Sequence, residues 1–170
     1  MEVQPLDTML YTPEQRRRRD ATRWTLVQGL LAPLQFFAFA ISLVLVIRTL
    51  VTGAGADAAA VSVVVKTGLL YAIMITGAIW EKKVFGQYLF AGPFFWEDVF
   101  SMLVIALHTA YLGALLTGYL STDGQLRLAL AAYATYVVNA GQFILKLRAA
   151  RLDEARQSEQ PATLATGGAA

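Results

Sequence analysis

The chain has 170 residues, 56% of them hydrophobic and only 15% charged, with a mean hydropathy of +0.51 and a formal net charge of +2. Soluble domains run at roughly 45 to 50% apolar and 25% charged, so a purely soluble globule is excluded. The absence of cysteine further excludes disulfides, thiolate nucleophiles, Cys-ligated zinc and Cys-held iron–sulfur clusters.

Residues 1–23 are polar and are predicted to form a cytoplasmic N-terminal segment. Its run Arg16, Arg17, Arg18 and Arg19, followed by Arg23, abuts a long apolar stretch, and basic residues in that place set membrane topology rather than bind nucleic acid. The first apolar stretch, Trp24 to Ile47, holds no charge. It is too long for a signal-peptide core and lacks a small-residue cleavage site, so it reads as an uncleaved anchor. The second runs from Ala59 to Ile79 with Lys66 as its only charge, the third from Val99 to Leu120 and the fourth from Leu128 to Leu145, both uncharged. Each meets the requirement of about 18 apolar residues for crossing a hydrocarbon core roughly 30 Å thick. The chain is therefore predicted to be an all-α polytopic membrane protein with four transmembrane helices in a domain spanning 24–152. After Leu152 the composition cannot bury a core, which predicts a disordered tail over 153–170.

Eleven basic residues lie before the first span, after the second and after the fourth, whereas only Arg48 and Arg127 lie on the opposite side. The excess places both termini and the loop between helices 2 and 3 in the cytoplasm.

Polar groups inside the spans are costly, which makes them candidates for function. Glu97, Ser101, Val104 and His108 share one face of the third helix, and Tyr111 continues it. Tyr136, Asn139, Gln142 and Lys146 follow at helical spacing on the fourth, and Gln28, Gln35 and Ser42 recur every seven residues on the first. Interhelical hydrogen bonding accounts for Gln28, Gln35, Ser42 and Asn139. His108 either donates across the bundle or contacts a ligand, and Lys66 either snorkels outward or serves the interior.

The most informative stretch is WEKKVFGQYLFAGPFFWED, residues 80–98, which carries seven of the nineteen aromatic residues and is bounded by carboxylates. Its centre is too short to span a membrane and is broken by Gly86, Gly92 and Pro93, which predicts an aromatic interfacial or re-entrant segment. The aromatics either anchor this loop at the membrane surface or offer a flat wall to a large planar ligand. Glu81, Glu97 and Asp98 stand at its edge, where desolvation and like charge favour the neutral acid, the condition for a general acid. Glu97 and Asp98 also suit the start of a helix. No HExxH, GxGxxG or P-loop spacing occurs, and with one histidine the only axial donor to a metallated macrocycle is His108.

The segments LYTPEQRRRRD (10–20), WTLVQGLLAPLQF (24–36), WEKKVFGQYLFA (80–91), FFWEDVFSMLVIALHTAYL (94–112) and AYATYVVNAGQFILKLRAARL (132–152) resemble the 2-vinyl bacteriochlorophyllide hydratase family. The resemblance covers residues 10–152 and implies a membrane hydratase that adds water across the C3 vinyl group of chlorophyllide a or a related bacteriochlorin. It brings no catalytic residue set with it and calls for no separate cofactor. Its implied partners are the tetrapyrrole and the lipid membrane of a bacterial inner, intracytoplasmic type, with no nucleic acid. A homo-oligomer and association with other pigment-biosynthesis enzymes are both compatible with it.

For such a reaction Glu97 is the expected acid, with Glu81 or Asp98 orienting water. His108, Tyr111, Asn139 and Gln142 are expected to line the pocket, with Trp80 and Trp96 at its wall and His108 toward the substrate magnesium. Lys82, Lys83, Lys146 or Arg148 would meet the propionate. A non-catalytic tetrapyrrole-binding or photosystem assembly protein would use the same aromatics and histidine without the carboxylates, and a small transporter would need Lys66 in a water-filled path.

Overall fold

The structure, a computed structural model, describes residues 10–166 of the chain and the side chains of 10–153 and 155. A short helix, α1 (Pro13–Ala21), begins at a capping box in which the Gln15 N–H donates to Thr12 Oγ1 and the Thr12 N–H donates to Gln15 Oε1, with Pro13 in the first turn. Its chain turns at Thr22, in extended conformation, straight into α2 (Arg23–Thr52). Pro33 sits inside α2, a position that membrane helices tolerate because neighbouring groups resupply the lost hydrogen bond.

Gly53 and Gly55, at φ 71° and 89°, reverse the chain within three residues, a left-handed geometry that glycine adopts without a Cβ penalty. The next helix, α3 (Ala56–Phe85), is followed by an irregular loop, a single 3-10 turn at Gly92–Phe94, then α4 (Phe95–Thr117) and α5 (Thr122–Thr166). Four of these helices are long and apolar enough to cross a membrane. Among the described residues there is no strand.

At about 1.5 Å per residue, the 30 residues of α3 extend some 45 Å, well beyond a 30 Å hydrocarbon core. Both ends of α3 therefore reach out of the apolar zone, and Glu81 lies in its final turns. Within the stretch from residue 153 expected to be a disordered tail, α5 is helical through Thr166. Its alanine, arginine, glutamate and glutamine residues favour helix, and extending an existing helix needs no new nucleus. Residues 1–9 of the predicted N-terminal segment and 167–170 of the predicted tail lie outside the described residues.

The helices pack as two close hairpins, α2 with α3 and α4 with α5, which meet each other more sparsely. Polar pairs bind helix to helix throughout. Gln28 Nε2 donates to Thr76 Oγ1 at 2.7 Å, and Ser42 Oγ lies 2.7 Å from Ser62 Oγ and 2.5 Å from Tyr133 Oη. Tyr71 Oη meets Thr109 Oγ1 at 2.7 Å, and Asn139 Nδ2 donates to Ser101 Oγ at 2.8 Å. Lipid is as apolar as leucine, so such bonds and close packing, rather than apolar burial, join membrane helices. Gln28, Ser42 and Asn139 thus serve the interhelical role expected of them. Gln35 is buried with neither amide atom partnered among the described residues.

Candidate active site

Lys66 does not snorkel. Its side chain is wholly buried, with Nζ 2.7 Å from His108 Nε2 and 4.0 Å above the Tyr136 ring centroid. His108 Nδ1–H donates to the Val104 carbonyl at 2.8 Å, which leaves Nε2 to accept from the Lys66 ammonium. Both imidazole nitrogens are thus engaged inside the bundle, and an axial contact from His108 to a substrate magnesium would require the Lys66 bond to break. Tyr111 is buried beside this group with its hydroxyl unpartnered among the described residues.

The three loop carboxylates converge at the other end of the α3–α4 pair. Glu81 comes from the last turns of α3, Glu97 and Asp98 from the first turn of α4, and all three are buried. Carboxylates suit the α4 N-terminus because its free N–H groups and dipole favour negative charge. Asp98 Oδ2 accepts the Phe90 N–H at 2.6 Å, and Glu81 Oε2 accepts the Ala91 N–H at 3.2 Å. These bonds hold the loop in a tight bend, where Phe90 takes a left-handed φ of 59°, a conformation costing a non-glycine residue about 1 to 2 kcal/mol.

Burial, together with the nearby Asp98 carboxylate, pushes the Glu81 carboxyl well above the usual carboxylate range. A buried carboxyl beside a second carboxylate favours its neutral, protonated form. Glu97 has a different partner: Lys146 Nζ donates to Glu97 Oε2 at 2.6 Å and also to the Pro93 carbonyl. The three acids therefore divide into an ion pair, Glu97 with Lys146, and a neighbouring pair, Glu81 with Asp98, whose setting favours a held proton.

The loop aromatics divide as well. Trp80, Phe85 and Phe94 turn inward and pack with Tyr11 and Phe143, and the Trp80 indole N–H donates to Thr25 Oγ1 at 2.9 Å. Tyr88, Phe90, Phe95 and Trp96 face outward, with Phe95 5.8 Å from Phe90 and 5.5 Å from Trp96 between ring centroids. Trp80 is thus part of the protein interior, and Trp96 belongs to the exposed wall.

Lys82 Nζ donates to the Gly86 carbonyl at 2.6 Å and closes the end of α3. Lys83, two residues beyond Glu81, lies on nearly the opposite face of the helix, where it lines an open cavity of about 420 Å³ with Arg18, Arg23 and Trp24. Of the lysines expected to meet the propionate, only Lys146 joins the carboxylates. Tyr11, Phe143 and the Lys66–His108 contact were not foreseen, because each depends on helices far apart in sequence.

The family described as 2-vinyl bacteriochlorophyllide hydratase matches residues 11–149. A Rhodobacter capsulatus protein named 2-vinyl bacteriochlorophyllide hydratase is 66% identical over 160 residues, 94% of this chain and 92% of its own length. A Cereibacter sphaeroides protein of the same name is 72% identical over 145 residues, 85% of this chain and 89% of its own. No solved structure matches.

Proposed function

Because the chain belongs to the 2-vinyl bacteriochlorophyllide hydratase family, we propose that it adds water across the C3 vinyl group of chlorophyllide a or a related bacteriochlorophyllide, with the Glu81–Asp98 pair as proton donor. The product carries a 1-hydroxyethyl group, which makes the chain a hydro-lyase of bacteriochlorophyll biosynthesis. The observation that carries the site assignment is the buried carboxyl pair tied to the loop backbone beneath an exposed aromatic wall.

The proton passes from the pair to the terminal vinyl carbon. Positive charge then forms on the carbon next to the ring and delocalises into the macrocycle, and water adds there. The proton released on addition returns to the pair, so one water is consumed and the acid is regenerated. Glu97 is committed to its ion pair with Lys146. It serves as a fixed negative charge near the developing cation, held by Lys146. The macrocycle stacks on Phe90, Phe95 and Trp96 at the membrane boundary.

We place the chain in a bacterial inner, intracytoplasmic membrane, and the charge asymmetry supports an orientation with both termini and this loop cytoplasmic. Homo-oligomerisation and association with other pigment-biosynthesis enzymes remain compatible with this placement.

The experiment is to incubate membranes containing the chain with chlorophyllide a in water enriched in heavy oxygen and to analyse the pigment by chromatography and mass spectrometry. The expected product is heavier by one labelled water, with its absorption moved to the blue as the vinyl group leaves conjugation. Pigment that binds unchanged to folded protein would favour the non-catalytic binding or assembly reading.

The wall has its own expected result. Phe95→Ala and Trp96→Ala each remove about 1 kcal/mol of stacking, which raises KM about fivefold. Both side chains are exposed, so kcat and the melting temperature stay near wild type in a steady-state assay paired with a thermal scan.

A further inference from the structure

The reaction needs a water molecule placed against a short-lived cation, and one stretch of the α4–α5 interface is built for a small donor. On α5, Asn139, Gln142 and Lys146 follow at intervals of three and four and so share one face. Both ends of that face are fixed against the start of α4. Asn139 donates to Ser101 at 2.8 Å, and Lys146 donates to Glu97 at 2.6 Å. Gln142 stands between them.

The amide oxygens of both Asn139 and Gln142 are shut off from the surface and accept no hydrogen bond among the described residues. An acceptor buried without a donor costs about 1 to 3 kcal/mol, and these two are separated by only about 4.5 Å of helix rise. What they lack is an O–H donor of small size. A molecule that offers two hydrogens to two acceptors is water. Gln142 is about one turn from Lys146, whose partner Glu97 adjoins Asp98 in sequence. The two acceptors therefore run toward the carboxylates from the bundle interior.

We propose that Asn139 and Gln142 hold the water molecule that adds to the substrate, an inference that rests on the hydratase reading. The amides accept its hydrogens and leave an oxygen lone pair for the carbon beside the ring. On capture a carbon–oxygen bond forms, and the displaced proton goes to the ionised Glu81–Asp98 pair. No further reactant is needed.

The test uses the partition of the cation. In deuterium oxide, a cation that is not captured loses a hydrogen from its terminal carbon and returns to the vinyl pigment carrying deuterium. Wild-type chain in membranes, Asn139→Leu and Gln142→Met are compared at initial rates, with deuterium in recovered substrate measured by mass spectrometry beside alcohol formed. The expected result is a ratio of exchange to hydration about tenfold higher in both variants. Gln142→Met leaves the Asn139–Ser101 bond in place and so carries the test even where Asn139→Leu lowers protein levels. Exchange and hydration falling together, with an unchanged ratio, would indicate a structural role and overturn the proposal. A wild-type chain that gives neither alcohol nor exchanged pigment overturns the hydratase reading itself, and this proposal with it.

Discussion

Glu81→Gln lowers the hydration rate by about two to four orders of magnitude, the range expected for loss of a positioned general acid, while the protein stays folded. The separation of chemistry from folding follows from the loop contacts. A glutamine amide oxygen still accepts the Ala91 N–H that Glu81 Oε2 accepts in the native chain, so the bend survives. What disappears is the transferable proton. Asp98→Asn behaves similarly, since its amide oxygen can accept the Phe90 N–H, yet an amide cannot take part in sharing a proton with Glu81. The measurement is hydration of chlorophyllide a in membranes, normalised to protein level and accompanied by a melting curve. A Glu81→Gln chain with full activity would remove the carboxyl pair from the mechanism. Equal loss of activity and of melting temperature would instead make the pair a structural brace for the loop.

Lys146→Met has the largest expected effect on stability. Glu97 is 7% exposed, and Lys146 is both its ion-pair partner and a donor to the Pro93 carbonyl. Removing the lysine leaves a buried carboxylate and a carbonyl without their donor. Breaking a buried pair in this way costs about 3 kcal/mol, the low end of the usual range because the Lys146 side chain is 26% exposed to solvent. The double variant Lys146→Met, Glu97→Gln removes the stranded charge and recovers most of the loss, because an apolar and neutral replacement of both partners is often nearly neutral. Thermal scans of the wild type, both single variants and the double variant in detergent check this. Equal melting temperatures for Lys146→Met and the double variant would contradict it.

Much of the architecture was open to reading because the bilayer imposes a simple rule on composition. The apolar runs, nearly free of charge, marked the four helices, and what the sequence misjudged was their length. The third span ends at Thr117 rather than Leu120 because Gly118 takes a left-handed φ of 63°, whereas α2 and α3 continue beyond the apolar runs because helix formation does not stop where lipid does. The direction in which Lys66 points could not be read from α3. That helix is apolar almost all round, so its own pattern gives no preferred face, and the deciding partners, His108, Tyr133 and Tyr136, come from other helices.

The carboxylates at the loop edges were visible as candidates, but their division of labour was not. It turns on Lys146, 49 residues from Glu97, and no local spacing foretells which of three neighbouring acids a distant lysine will choose. The same holds for the aromatics. Phe94 and Phe95 are adjacent in sequence, yet one is buried with Tyr11 and Phe143 while the other faces outward. The 3-10 turn at Gly92–Phe94 and the helix starting at Phe95 set that split.

The buried lysine also bears on how the chain is made. Lys66 belongs to α3, but the imidazole and tyrosine rings around its ammonium arrive on α4 and α5, which leave the ribosome later. A lysine near the middle of an inserting helix costs up to about 3 kcal/mol, and α3 must bear that cost while its partners are still unsynthesised. The first hairpin is therefore the weaker half during biogenesis and depends on the second to retain it in the bilayer. A chain ending at Ala91 would insert poorly and be cleared by quality control, and Lys66→Leu in that fragment would restore its insertion.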